Sequence, residues 1–178
     1  MFNYEVLSNN EFNKTINNYI SEKEQDFWDI VKDYKLENYS FNVNYDKYNY
    51  KNIETVHFII YQYVGGAHDE RFDEIFYYDK QNKKQLMISD LLIINDSFYE
   101  KLSLLAREKL TSQKDLLFQG DMLEDGLKGV ASNYKYLIFT DEGLKIVFPP
   151  YQIGPWSSGE IDVIIPYHSI SEYLKFIY

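Results

Sequence analysis

Cysteine is absent from the 178 residues, so neither a disulfide nor a thiolate metal site is available, and the redox compartment is left open. Basic residues are in deficit: 18 Lys and Arg stand against 28 Asp and Glu, a formal net charge of −10. Such a chain repels phosphates, which excludes nucleic acid as a partner and makes a basic protein the natural complement. Plain solubility is the other reading of the same charge. No apolar run approaches the ~20 residues that a membrane helix needs, so the chain is not expected to span a membrane. The N-terminus, MFNYEVLSNN, has neither the basic nor the apolar region of a signal peptide. That leaves a cytoplasmic location, or an export segment outside this sequence. No Walker loop, GxGxxG or nucleophile elbow occurs. Proline is scarce, 4 in all, and Pro149, Pro150 and Pro155 fall in a single loop.

What is abundant is aromatic: 18 Tyr and 12 Phe favour strands, and a hydrophobic share of 45% supplies a core and argues against disorder. The length suits one domain, 1–178. Ser8 and Glu11 form a capping box, with Leu7 and Phe12 as a hydrophobic staple. Phe12, Ile16, Tyr19, Ile20, Phe27, Ile30, Val31 and Tyr34 then recur at helical spacing, which predicts one long amphipathic helix over about 9–34, packed on a sheet. Alternation predicts strands over 40–50, 72–78, 134–139, 143–148 and 161–165, and the nearly continuous apolar run 55–64 reads as a central strand covered on both faces. Residues 86–92 read as a short strand or extended segment. A second helix over 95–111 starts at a Ser97–Glu100 capping box and buries Phe98, Leu102, Leu105, Ala106 and Leu110. Residues 112–132 read as loop with a short helical turn, and 169–177 as a closing helix. The fold class is α+β: a mainly antiparallel sheet with the long N-terminal helix and the second helix packed against it. Ile59, Tyr61, Phe76, Ile146 and Val163 are expected to be buried in one sheet, with Ile16 and Phe27 over it.

The stretch 140–167 organises the chain. Asp141-Glu142-Gly143 turns into one strand, Ile161, Val163 and Ile165 mark another, and between them lies the loop 149–159 with Tyr151, Ile153, Pro155 and Trp156. Prolines restrict the unbound loop and Tyr and Trp are typical interface anchors, so these four residues are binding candidates. The competing reading is that Tyr151, Ile153 and Trp156 fold back and plug the end of the sheet.

His68 with Asp69, Glu70 and Asp73 is the nearest thing to a reactive cluster. Neighbouring strand residues point to opposite faces, however, and the three histidines lack metal-ligand spacing, so no catalytic set, metal or cofactor is expected. Gly65-Gly66 supplies the positive φ of a turn or bulge, and His68 then bonds to the backbone or to a neighbouring loop. His57 shares parity with Ile59 and Tyr61 and reads as a packed, satisfied histidine. His168 reads as a surface residue or cap. Asp121, Glu124 and Asp125 have the composition of a glycosidase acid pair, but their Gly-flanked position points to a wet loop.

Two stretches carry a family resemblance. One is Tyr61-Gln62-Tyr63-Val64-Gly65-Gly66-Ala67-His68, and the other combines Asp125-Gly126-Leu127, Thr140-Asp141-Glu142-Gly143-Leu144, the PYQIGPWSSG loop and Ile165-Pro166-Tyr167. Their order resembles the bacterial domains DUF4163, over about 1–80, followed by DUF3298, over about 81–178, with the KQLMISDLL segment as the link. The resemblance implies an α+β fold on the outside of bacterial cells, as in lysozyme-sensing anti-sigma factors and beside polysaccharide deacetylase domains. It also implies a non-catalytic binding role toward lysozyme or another basic protein, for which the candidate contact residues are Tyr151, Ile153, Pro155 and Trp156 of the loop, with His68 of the glycine turn. A glycan-binding accessory domain, or an envelope-glycan hydrolase using His68 and nearby acids, is the alternative. Asp69-Glu70 follows His68 where the family commonly has Gly, and no sigma-binding segment accompanies the resemblance.

Overall fold

The computed structural model describes residues 10–112 and 120–175. The Ser8 cap and Leu7 staple lie outside them. Helix α1 (Asn10–Tyr34) is followed by β1 (Ser40–Tyr50), β2 (Ile53–Tyr63), β3 (Glu70–Asp79) and the three-residue β4 (Lys84–Leu86), which form an antiparallel sheet in chain order. After α2 (Ile88–Leu91), α3 (Asp96–Ser112) and α4 (Asp121–Gly126), strands β5 (Tyr136–Phe139), β6 (Leu144–Phe148) and β7 (Ile161–Ile165) form a second antiparallel sheet. The α+β class, the long first helix and the second helix are as expected.

Period-2 alternation explains the layers. In the first sheet Val56, Phe58, Phe76 and Tyr78 share a face and bury against Phe12, Ile16 and Ile20 of α1. Phe12 stacks obliquely on Tyr78, 5.0 Å between centroids, and Tyr19 meets Phe76 edge-on at 5.7 Å. Further along, Phe27 leaves the sheet centre and packs on Phe41 at the start of β1. The opposite face is crossed by β5, which touches β1, β2 and β3. From Ile53 to Phe58, β2 is therefore buried on both sides. Tyr77 fixes the crossing, its hydroxyl donating to the Leu137 carbonyl at 2.7 Å. The second sheet buries Leu137, Phe139, Leu144, Ile146, Phe148, Val163 and Ile165 in a core shared with Phe98, Leu102, Ala106 and Leu110 of α3.

Several expectations are corrected. The five core residues do not share one sheet: Phe76 lies in the first, Ile146 and Val163 in the second. Ile59 and Tyr61 are half-buried, on the face of β2 turned away from α1 and beyond its fully buried stretch Ile53–Phe58. The cap of α3 is Asn95, not Ser97: its Oδ1 accepts the Phe98 N–H at 2.9 Å, and the Ser97 hydroxyl donates to the same oxygen at 2.8 Å. Residues 88–91 are a helical turn, held by Asp90 Oδ2 accepting the Met87 N–H at 2.8 Å. The closing element is a 3-10 segment, Tyr167–Tyr173, after which Lys175 N–H donates to the Leu91 carbonyl at 3.0 Å; residue 177 lies outside the described residues.

Candidate functional site

Two tips meet at one end of the molecule. The first is the β2–β3 connection, where Gly65 and Gly66 take φ of 101° and 117°, a region a side chain would resist. This turn brings His68 back toward the second sheet. The second tip is the loop between β6 and β7. Ile153, 1% exposed, inserts into the core beside Phe148 and Leu127. The Gln152 side-chain amide donates to the Gly126 carbonyl at 3.1 Å and the Asn133 carbonyl at 2.8 Å. Gly126 is required under this contact: a Cβ there would lie 2.0 Å from the Gln152 carbonyl oxygen.

Anchored on that side, the loop projects Tyr151 the other way. Tyr151 has φ 72°, a left-handed conformation that costs a bulky residue about 1–3 kcal/mol. Tight hydrogen bonds hold it there, Tyr151 N–H to the Gly154 carbonyl at 2.9 Å and Gln152 N–H to the Pro149 carbonyl at 3.1 Å. Its ring is 53% exposed.

His68 joins the tips. Its ring stacks on Trp156 with centroids 4.1 Å apart and planes 11° from parallel. His68 Nδ1 lies 2.8 Å from the Asp69 carbonyl oxygen, which can only accept, so Nδ1 carries the proton. Nε2 lies 3.0 Å from the Tyr151 hydroxyl, which can donate to it when the ring carries its proton on Nδ1 alone. Both a backbone and a loop partner are thus found for His68. The structure gathers His68, Tyr151 and Trp156 into one surface, with exposed Pro155 beside Trp156. Ile153 is the exception and corrects its expected role as a contact residue: its branched side chain fills the core end and is unavailable to a partner. The loop is plug and surface at once, with Gln152 and Ile153 turned inward between the outward Tyr151 and Trp156.

Asp73 does not join His68 as the primary sequence grouping suggested. It turns to the opposite side of β3 from Glu74 and faces His57 across the ladder. His57 Nε2 donates to Asp73 Oδ1 at 2.6 Å, and Arg71 grips the same carboxylate through Nε to Oδ2 at 2.8 Å and Nη2 to Oδ1 at 2.6 Å. Arg71 Nη2 also donates to Glu160, the residue before β7. Lys145 stands 3.9 Å from Glu160 and 3.3 Å from Asp162. Burial alone would raise the Asp73 pKa, but the hydrogen bonds of His57 and Arg71 and the guanidinium charge outweigh it and hold the carboxyl below its ordinary value. Burial would lower the Arg71 pKa, yet Asp73 and Glu160 push it up.

His57, Asp73 and Glu160 each offer a ligand atom within 4.8 Å of the others. The donor set suits a divalent cation, but the Arg71 guanidinium already bonds to both carboxylates and supplies the positive charge there. His57 is, as expected, buried and satisfied. The acids expected in a wet loop lie in helix α4 instead, where Glu124 pairs with Arg107 and Asp125 with Lys128, both on the surface. Sequence reasoning missed Arg71 and Glu160. The shared parity of Arg71 and Asp73 with Ile75 and Tyr77 was the available signal that two charges lie on an inward face.

Fold and site together define a class: an α+β module with two antiparallel sheets and an aromatic surface where two hairpin tips meet. Residues 89–168 match the family described as "Protein of unknown function (DUF3298)", so the family-level resemblance holds on that region. The chain is 25% identical over 178 residues to the peptidoglycan-N-acetylmuramic acid deacetylase PdaC of Bacillus subtilis strain 168, covering 97% of this chain and 38% of that protein's length. The fold is similar to that of a DUF3298 family protein from Pseudomonas aeruginosa PAO1, with TM-score 0.61 and 18% identity over 77% of this chain and 62% of that one. It is also similar to a DUF3298 family member from Bacteroides fragilis NCTC 9343, with TM-score 0.57 and 19% identity over 92% and 68%. Among the described residues no helix is long and apolar enough to cross a membrane.

Proposed function

We propose that this chain is a non-catalytic binding module of the cell-envelope type, meeting a basic protein such as lysozyme outside the cytoplasm through His68, Tyr151, Pro155 and Trp156. The carrying observation is the meeting of the two tips: the His68–Tyr151 hydrogen bond joins residues 83 positions apart, and the His68–Trp156 stack lies beside it. A surface assembled before the partner arrives loses little entropy on docking, and rigid aromatic rings are efficient anchors. The net charge of −10 steers a basic partner toward it.

The test is a binding assay of the wild type, Tyr151→Ala and Trp156→Ala against a c-type lysozyme at two ionic strengths. Loss of a true anchor costs about 2 kcal/mol or more, seen mostly as faster dissociation. Added salt slows association. No binding by the wild type at low salt removes lysozyme as the partner, and binding that ignores both substitutions removes this surface.

One observation favours a second reading, a glycan laid on the same rings: the similarity to PdaC, whose name places its action on peptidoglycan, extends over 97% of this chain. Co-sedimentation with purified peptidoglycan that Trp156→Ala abolishes would select it over the protein partner.

A further inference from the structure

The aromatic surface hangs from two stems, and a charge network joins the stems. Arg71 is the second residue of β3, three residues after His68, and Glu160 precedes β7 four residues after Trp156. Arg71 donates to Glu160 between them. We propose that Arg71 and Glu160 are positioning residues: their ion pair, seated on Asp73 and His57, sets the separation of the two tips and thereby the stacking of His68 on Trp156. This inference rests on the reading of that surface as a binding site for its purpose, but its geometry is tested without any partner.

The arrangement separates two jobs in one guanidinium. Nε and Nη2 grip Asp73 in a two-point fork within β3 itself. That grip satisfies Arg71 and Asp73 whether or not Glu160 is present. Nη2 carries a second bond outward to Glu160, whose side chain is 24% exposed. The outward bond therefore links sheets rather than building either one. Above it the tips are joined by one side-chain hydrogen bond and one ring stack, His68 to Tyr151 and His68 to Trp156. A charge-assisted bond at a largely dry stem is stronger than a neutral one and constrains direction as well as distance. Lys145 adds a weaker, longer tie that holds Glu160 toward the second sheet. A lysine at position 71 keeps the charge but lacks the planar fork, so it cannot hold Asp73 and Glu160 in fixed directions together.

The experiment uses the full chain carrying Trp28→Phe, which leaves Trp156 as the single tryptophan. Acrylamide quenching of Trp156 is measured for this parent, with Glu160→Gln or His68→Ala added, and with both. Releasing the tie opens the stack and raises the quenching constant about twofold, as expected when a half-covered ring becomes freely accessible. His68→Ala produces the same rise from the other side of the stack, and the double variant is no worse than either single one, since both act on one contact. Urea denaturation confirms that Glu160→Gln still unfolds in one cooperative transition, as the intact Asp73 grip requires. Quenching unchanged by Glu160→Gln while His68→Ala raises it overturns the positioning role. Additive effects of the two substitutions overturn it as well. A parallel measurement with c-type lysozyme keeps the two readings apart: if the wild type does not bind, the partner is wrong and the quenching result still decides the positioning. If it binds, Glu160→Gln weakens the apparent affinity by the factor in which the competent population falls, and adds nothing in a Trp156→Ala background.

Discussion

Replacing Asp73 by Asn changes one oxygen to an amide nitrogen and removes one charge, yet the structure makes it a severe substitution. The side chain is 1% exposed and accepts three donated hydrogen bonds, from His57 Nε2 and from Arg71 Nε and Nη2. An asparagine offers one acceptor oxygen and one donor group, so it always turns an N–H toward another N–H. Arg71, 4% exposed, then carries a buried charge with Glu160 as its remaining carboxylate. Breaking a buried pair on one side costs about 3–5 kcal/mol, and the isosteric shape, which leaves no cavity, sets the expectation at the lower end. The loss also carries a pH signature. The folded carboxyl has a depressed pKa, so its contribution is present above the unfolded value near 3.8 and disappears as pH falls through the folded value. Urea denaturation at pH 7 and at a series of acid pH values reads both effects. The wild type loses stability on acidification below about pH 4 more steeply than Asp73→Asn, and the two curves converge. A cost under about 1 kcal/mol at pH 7, or parallel curves in acid, would show that the carboxylate is not the centre of a buried network and would refute the reasoning.

Two further outcomes test the elements that hold the site. Asn95→Ala removes the side-chain acceptor of the Phe98 N–H and lowers stability by about 1 kcal/mol in chemical denaturation, whereas Ser97→Ala costs less because the hydroxyl donates to Asn95 and does not cap the helix. Ile153→Ala empties the core end of the loop and costs about 2–5 kcal/mol by the same measurement.

Much of this architecture was legible because it rests on local periodicity. The 3.6-residue recurrence of Phe12, Ile16 and Ile20 set the buried face of α1, and the apolar run through β2 announced a strand covered on both sides. The positive φ of Gly65 and Gly66 was legible for a similar reason, since two adjacent glycines at a strand end have few other uses. What periodicity does not carry is the identity of the neighbour. It assigns Phe76 and Ile146 each to an inward face without saying that they belong to different sheets. The Ser97 and Asn95 caps differ by a choice between adjacent polar residues, which is settled by where α3 begins, and tertiary packing of Phe98 decides that.

The charge network was illegible for a deeper reason. Its members come from β2, β3 and the edge of β7, and each alone has an ordinary surface explanation. Asp73 groups in sequence with His68, nothing in the sequence singles out Arg71 or Glu160, and His57 reads as a core histidine. Their joint burial follows from β5 crossing the first sheet, which carries β7 and Glu160 to the Arg71 side. The same crossing brings Trp156 to His68. The aromatic surface and the charge network are therefore two consequences of one packing event, and neither is encoded at a spacing that a linear motif could record. This also explains why the loop 149–159 supports two sequence readings that looked exclusive. Ile153 and Gln152 answer to the core and to Gly126, while Tyr151 and Trp156 answer to His68. The left-handed backbone of Tyr151 turns the chain between the outward Tyr151 and the inward Gln152 and Ile153, and the chain comes back out at Trp156.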